Sequence, residues 1–176
     1  MGTHKPKETA PVKAAILVGC TFFYFLIFAQ FGFLHRLAEI DPEKKLLEIA
    51  MLMMGLGGVL GTIGAARRFN IKTAKSWLVA SFITCGVTAS LSGLMTIPSA
   101  ILFIALVVGL SLGILTVSIV SILRSLIPSG QIGIWTSLGV GSAYFFANIP
   151  PVFRCTPPDH CLFSVLACIG GALVAM

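Results

Sequence analysis

The stretch AILFIALVVGLSLGILTVSIVSIL, residues 100–123, contains no charged side chain and lies between Pro98 and Arg124. A helix needs about 20 apolar residues to cross the hydrocarbon core of a bilayer, and this stretch is long enough. Comparable runs cover residues 14–34, 46–66, 77–97 and 132–153, and a sixth run, 161–176, reaches the last residue. The pattern predicts an all-α polytopic transmembrane helix bundle of about six spans, the last of them incomplete.

The composition agrees with a membrane environment. The chain of 176 residues is 57% hydrophobic and only 10% charged, whereas about 25% of the residues of a soluble domain are charged. The net charge of +6 is divided among the links between apolar runs, where it sets topology and forms no continuous basic patch. We therefore predict the lipid bilayer as a partner and exclude nucleic acid.

The domain organisation is simple. Residues 1–13 form a polar N-terminal tail, and residues 14–176 form the bundle. The links at 97–99 and 125–130 are short, which forces neighbouring helices to run antiparallel. The last run has neither a basic stop nor a polar tail, so we expect the chain to be the N-terminal part of a longer protein. A cleaved signal peptide is the alternative for the first run, but that run exceeds the usual 7–15 residues and no small-x-small site follows it.

The distribution of lysine and arginine predicts a cytoplasmic N-terminus. With that orientation, eight basic residues lie inside: Lys5, Lys7, Lys13, Arg67, Arg68, Lys72, Lys75 and Arg124. Four lie outside: Arg36, Lys44, Lys45 and Arg154. The predicted location is the inner (plasma) membrane of a bacterium.

Small residues recur at helical spacing within the runs. They are Gly57, Gly61 and Gly64 in the second run, Gly109 and Gly113 in the fourth, and Gly133, Ser137 and Gly141 in the fifth. Small side chains let helix backbones approach closely, which is how helices associate in lipid. We predict that these three faces pack inside the bundle. Their functional interpretation is sliding of helices past one another, as alternating access requires.

Uncharged polar residues inside the runs are candidates for solute binding, because lipid makes an unpaired polar group costly. Gln30 lies in the first run, and Asn148 lies one helical turn beyond Tyr144 in the fifth. We predict that Tyr144 and Asn148 face the bundle interior and that all three residues line a solute path. The alternative is that the amides only tie neighbouring helices together.

No catalytic or metal-binding pattern is present. The histidines, His4, His35 and His160, lie outside the apolar runs or at their edges, and no HExxH, GxSxG or P-loop motif occurs. We predict a protein that is not an enzyme and that uses no cofactor and no metal. Cys155 and Cys161 flank the predicted outer link, where an oxidising compartment would permit a disulfide. The alternative is two unpaired thiols at the membrane edge.

Two stretches resemble the N-terminal half of a major facilitator superfamily (MFS) transporter. The first is the basic link after the second run, Arg67-Arg68-Phe69-Asn70-Ile71-Lys72. The second comprises the glycines of the fourth run, Arg124, the Pro-containing link 127–133, the glycines of the fifth run and Asn148-Ile149-Pro150-Pro151. The resemblance implies a cytoplasmic gating loop with Arg68, Lys72 and Arg124, a small-molecule solute, and a C-terminal half or partner bundle. For Arg124 the alternative is a topology anchor that reaches the interface.

Three functions are compatible with these patterns. The first is secondary transport of a small solute by alternating access. The second is a non-transporting membrane scaffold or assembly protein that uses the same bundle. An intramembrane enzyme is the least favoured, because the apolar runs contain almost no paired acids, histidines or nucleophiles.

Overall fold

A computed structural model describes residues 9–41, 43, 45–68, 70, 73–95 and 97–176. Six helices follow one another: α1 (Ala10–Ile40), α2 (Lys45–Arg68), α3 (Ala74–Leu94), α4 (Pro98–Leu126), α5 (Ile132–Ala147) and α6 (Pro157–Ala175). A 3₁₀ turn, Ser129–Gln131, precedes α5, and a one-turn helix, Pro150–Phe153, follows it. These described residues include no β-strand, and the predicted all-α bundle is confirmed.

Five of the helices, all except α5, are long and apolar enough to cross a membrane. The shorter α5 has 16 residues, or about 24 Å at 1.5 Å per residue. It ends before the predicted limit of residue 153 because Pro150 disfavours a helical conformation at Ile149, whose ψ is 127°. The one-turn helix then continues the chain. At the start of α6, Thr156 and Asp159 form a capping box, so the helix begins four residues before position 161.

The first helix is longer than the apolar run that predicts it. It extends over 31 residues and contains a π-helical segment, Phe25–Gly32. Gly32 in this segment lies against α6, where an added Cβ would be 2.8 Å from the Cβ of His160. π-helical turns inside α-helices occur frequently at functional sites, which draws attention to the middle of α1.

The helices pack in a definite set of pairs. The most extensive contact joins α2 to α4, followed by α1 with α5, α1 with α6 and α3 with α6. A further contact joins α3 to α4. The fully buried rings of Tyr24, Phe28 and Phe82 belong to the core that α1 and α3 share with α4 and α6.

This set of pairs is unchanged when α1, α2 and α3 exchange places with α4, α5 and α6. The exchange converts the α2–α4 pair into α5–α1 and the α3–α4 pair into α6–α1, while α3–α6 becomes itself. Because short links make successive helices antiparallel, each helix and its counterpart run in opposite directions. The described bundle therefore has the pairing pattern of two inverted three-helix repeats.

The predicted packing of small residues is confirmed for α2 and α4. A Cβ added at Gly57 or Gly61 would overlap backbone atoms of Leu106 or Leu110 in α4. A Cβ added at Gly109 would overlap the carbonyl of Met54 and lie 2.9 Å from the backbone nitrogen of Gly58. The helices meet backbone to backbone. Gly64, predicted on the same face, has no such neighbour within 4 Å.

The predicted packing face of α5 is wrong. Ser137, Gly141, Tyr144 and Asn148 are all exposed, and nothing lies within 4 Å of a Cβ placed on Gly141. The buried residues are instead Gly139, Ala143 and Ala147, which lie four residues apart on another side of the helix. This side packs against α1, where Gly139 approaches the Ala15 carbonyl.

Candidate functional site

A cavity of about 520 Å³ opens between α1, α2, α4 and α5. Each of these four helices contributes one threonine to its wall: Thr21, Thr62, Thr116 and Thr136. The remaining lining side chains are apolar, with Phe22 and Phe25 from α1 and Ile119, Val120 and Leu123 among those from α4. None of the described residues that line this threonine cavity carries a charge.

Three of the threonines donate their hydroxyl proton within their own helix. Thr21 Oγ1 donates to the Leu17 carbonyl at 2.9 Å, Thr62 Oγ1 to the Gly58 carbonyl at 2.8 Å, and Thr116 Oγ1 to the Leu112 carbonyl at 2.8 Å. A hydroxyl oxygen keeps acceptor capacity when its proton is used in this way. The side chains of Thr62 and Thr116 are exposed, so their oxygens are available to a bound molecule.

Thr136 differs from the other three. Its Oγ1 is buried and has no hydrogen-bond partner within the described part of the chain. An unsatisfied buried hydroxyl costs about 1–3 kcal/mol.

The four threonines are divided evenly between the two repeats, with Thr21 and Thr62 on α1 and α2 and with Thr116 and Thr136 on α4 and α5. Sequence reasoning did not select them, because threonine is ordinary in apolar helices and usually satisfies itself on the preceding turn. The signal that could have found them is their presence in corresponding runs, the first with the fourth and the second with the fifth.

The predicted solute-binding residues lie elsewhere. Gln30 is exposed in the π-helical segment of α1, and Tyr144 is 50% exposed on α5. Asn148 follows the end of α5, where its Nδ2 donates to the Tyr144 carbonyl at 2.8 Å. None of the three lines the threonine cavity as described. Their assignment to a solute path stays a prediction.

The predicted gating residues lie at helix ends. Arg68 is the last residue of α2, and Arg124 lies in the last turn of α4. Both side chains are exposed. Lys72 lies outside the described residues. Arg68 immediately precedes the link that joins α2 to α3, and Arg124 lies close to the link that joins α4 to α5.

The hypothesis of a Cys155–Cys161 bridge is not realised in the structure, where both residues are free thiols. The Cys155 thiol donates to the Val152 carbonyl at 2.9 Å. Cys161 is buried in the second turn of α6, and its Sγ lies 3.8 Å from Ser92 Oγ of α3. The two thiols have separate partners because the capping of α6 at Thr156 turns Cys161 towards the bundle.

Alkylation of the purified, unreduced protein should therefore find Cys155 and Cys161 both as free thiols, and the two should react at different rates. Cys155 should react first, although burial and the Asp159 carboxylate raise the pKa of its thiol, so its rate should increase steeply with pH. Cys161 should react only after unfolding. Mass spectrometry of the alkylated peptides measures the rates of both cysteines. A peptide with a Cys155–Cys161 bridge and no free thiol would contradict the expected result.

A second cavity, of about 600 Å³, lies between α1, α5 and α6. Its walls are almost entirely apolar, and several of its side chains, among them Ile16, Leu138 and Phe146, belong to the exposed surface of the bundle. Such a groove offers a solute almost no polar group for orientation. The threonine cavity is the better candidate for a specific site.

Compared with known proteins, the chain matches no family model, no curated protein and no solved structure.

Proposed function

We propose that the chain is a helical bundle of an MFS-type secondary transporter, which moves a small solute across the membrane by alternating access. The main support is the pairing of helices, which is unchanged by exchange of α1–α3 with α4–α6. Inverted repeats of three helices occur within each six-helix half of MFS transporters. A scaffold needs no such internal symmetry.

The position of the threonine cavity agrees with this proposal. In inverted-repeat transporters the substrate site lies at the repeat interface near the middle of the bilayer. Here the cavity receives α1 and α2 from one repeat and α4 and α5 from the other. Thr116 lies well inside α4, whereas Thr62 is close to the end of α2 and Thr136 is close to the start of α5.

Close contacts between helix backbones would allow the paired helices to move relative to one another. The α2–α4 and α1–α5 pairs meet at glycines rather than at interlocking large side chains. Such smooth faces allow rocking of packed helices without repacking of a side-chain interface. The solute path would then run between this bundle and a C-terminal half or partner bundle, with the N-terminus in the cytoplasm.

Site-directed labelling in membrane vesicles tests alternating access. Every native cysteine of the full-length protein is replaced by alanine, and Thr116→Cys is introduced. A charged, membrane-impermeant methanethiosulfonate reagent is applied to right-side-out and to inside-out vesicles. We expect modification from both sides, because a transporter opens its central cavity to each side in turn.

Val87→Cys in the same background is the matched control. Val87 is 51% exposed near the middle of α3 but does not line the threonine cavity, so we expect no modification from either side. Modification of Thr116→Cys from one side only would contradict alternating access. That result would favour the non-transporting scaffold or assembly protein.

A further inference from the structure

The threonine cavity offers hydrogen-bond acceptors and almost no free donors. The hydroxyl protons of Thr21, Thr62 and Thr116 are already donated to main-chain carbonyls. Each hydroxyl oxygen retains lone pairs, and those of Thr62 and Thr116 belong to exposed side chains. A solute that makes direct hydrogen bonds to Thr62 and Thr116 must therefore supply the proton itself, whereas the Oγ1 of Thr136, which has no partner among the described residues, is buried.

The cavity also disfavours charged and highly polar solutes. Among the residues that the structure describes, no side chain lining the cavity is acidic or basic, and transfer of an unpaired charge from water into apolar surroundings is very costly. A sugar would bury many hydroxyl groups, each needing a partner. The cavity can offer such a molecule only a few threonine oxygens, because aliphatic side chains and the rings of Phe22 and Phe25 cover the rest of its wall.

We propose that the solute bound in the threonine cavity is an uncharged, largely apolar molecule with one or two hydrogen-bond donors, of the alcohol or phenol class. The oxygens of Thr62 and Thr116 accept its protons, and the aliphatic and aromatic wall covers its apolar body. That this molecule is transported, and not only bound, rests on the proposed transport function. Its binding chemistry can be measured separately.

Three probes with the same ring system separate the effect of a hydrogen-bond donor on affinity from the effect of charge. They are 2-naphthol, which is neutral and has one donor; 2-methoxynaphthalene, which has none; and naphthalene-2-sulfonate, which is charged. These 176 residues include two tryptophans, Trp77 and Trp135, and Trp77→Phe, together with replacement of any tryptophan beyond residue 176, leaves Trp135, the neighbour of Thr136, as the only reporter. Quenching of its fluorescence is titrated with the full-length protein in lipid nanodiscs.

We expect 2-naphthol to bind roughly tenfold more tightly than 2-methoxynaphthalene, the equivalent of one net hydrogen bond. Naphthalene-2-sulfonate should bind at least tenfold more weakly than 2-naphthol. Thr62→Val and Thr116→Val preserve the shape of the side chain and remove the acceptor. Together they should abolish the preference for 2-naphthol over its methyl ether.

Thr84→Val is the matched control. Thr84 in α3 makes the same bond to its preceding turn, from Oγ1 to the Ala80 carbonyl at 2.9 Å, but it does not line the cavity. Its substitution should leave all three affinities unchanged. Because each probe partitions into lipid to the same extent whichever variant is present, this partition does not affect the comparison of affinities between variants.

Equal or tighter binding of the sulfonate would overturn the assignment of an uncharged solute. Equal binding of the naphthol and its methyl ether, or absence of saturable quenching, would overturn the role of the threonine oxygens. Labelling of Thr116→Cys from both sides together with sulfonate binding would retain transport and reject this solute class. Labelling from one side together with the expected naphthol preference would support the binding chemistry and reject transport.

Discussion

Gly109→Leu should prevent stable folding of the bundle. Gly109 lies in the most extensive helix pair, where its Cα faces the Met54 carbonyl and the Gly58 backbone of α2. A side chain here meets main chain, which cannot move aside as a flexible side chain can. We expect the free energy of unfolding to fall by about 3 kcal/mol, the upper end of the usual cost of overpacking. The yield of monodisperse protein and the midpoint of thermal unfolding in detergent measure the effect.

Gly64→Leu provides the control for this prediction. Gly64 is in α2 and has the same helical spacing from Gly61 and Gly57 as a packing residue would have, yet nothing lies within 4 Å of its added Cβ. Leucine also has a better helix propensity than glycine. Gly64→Leu should therefore keep or slightly raise stability. A similar loss for both variants would show that α2 and α4 are not paired as described.

The apolar runs were sufficient to predict the helices because lipid selects long uninterrupted hydrophobic segments. The exact ends depend on local chemistry that hydropathy does not register. Pro150 ends α5 through the conformation of Ile149, and Thr156 with Asp159 begins α6. Both residue pairs were visible in the sequence, but apolarity alone placed the limits at 153 and 161.

The packing faces were predictable only where a helix has one small-residue stripe. Gly109 and Gly113 form a single pair in α4, and the structure places both against α2. Helix α5 contains two stripes with the same spacing, Gly133-Ser137-Gly141 and Gly139-Ala143-Ala147. Spacing cannot distinguish the two stripes, because which of them is buried depends on the shape of the α1 surface against which α5 packs. The second stripe is the buried one.

The candidate site shows a related limit of sequence reasoning. Amides such as Gln30 and Asn148 attract attention because an unpaired amide in lipid is costly. The threonines that line the cavity satisfy their own protons on the preceding turn, and for that reason they look unremarkable in the sequence. Only the three-dimensional pairing of α1, α2, α4 and α5 brings four of them to one cavity.

Gly139→Leu should disrupt the bundle, whereas Gly141→Leu should be tolerated. A Cβ at Gly139 would lie 2.5 Å from the Ala15 carbonyl oxygen and 2.9 Å from the Val18 Cβ of α1. Leucine would therefore push α5 away from α1, at a cost of about 3 kcal/mol. Gly141 has no neighbour within 4 Å of its added Cβ, so the larger side chain meets open space.

Thermal unfolding of the two purified variants beside the parent protein decides between the two faces of α5. The two glycines lie two residues apart in one helix, so helix propensity and membrane insertion change almost equally, and a difference in stability reports packing alone. A strong loss for Gly139→Leu only would support α1–α5 pairing through the Gly139 face. A larger loss of stability for Gly141→Leu than for Gly139→Leu would indicate that the Ser137–Gly141 face is the buried one and that α1 and α5 are not paired as described. Without that pair the α2–α4 contact has no counterpart, and the bundle would lack the inverted-repeat pairing that supports a transporter.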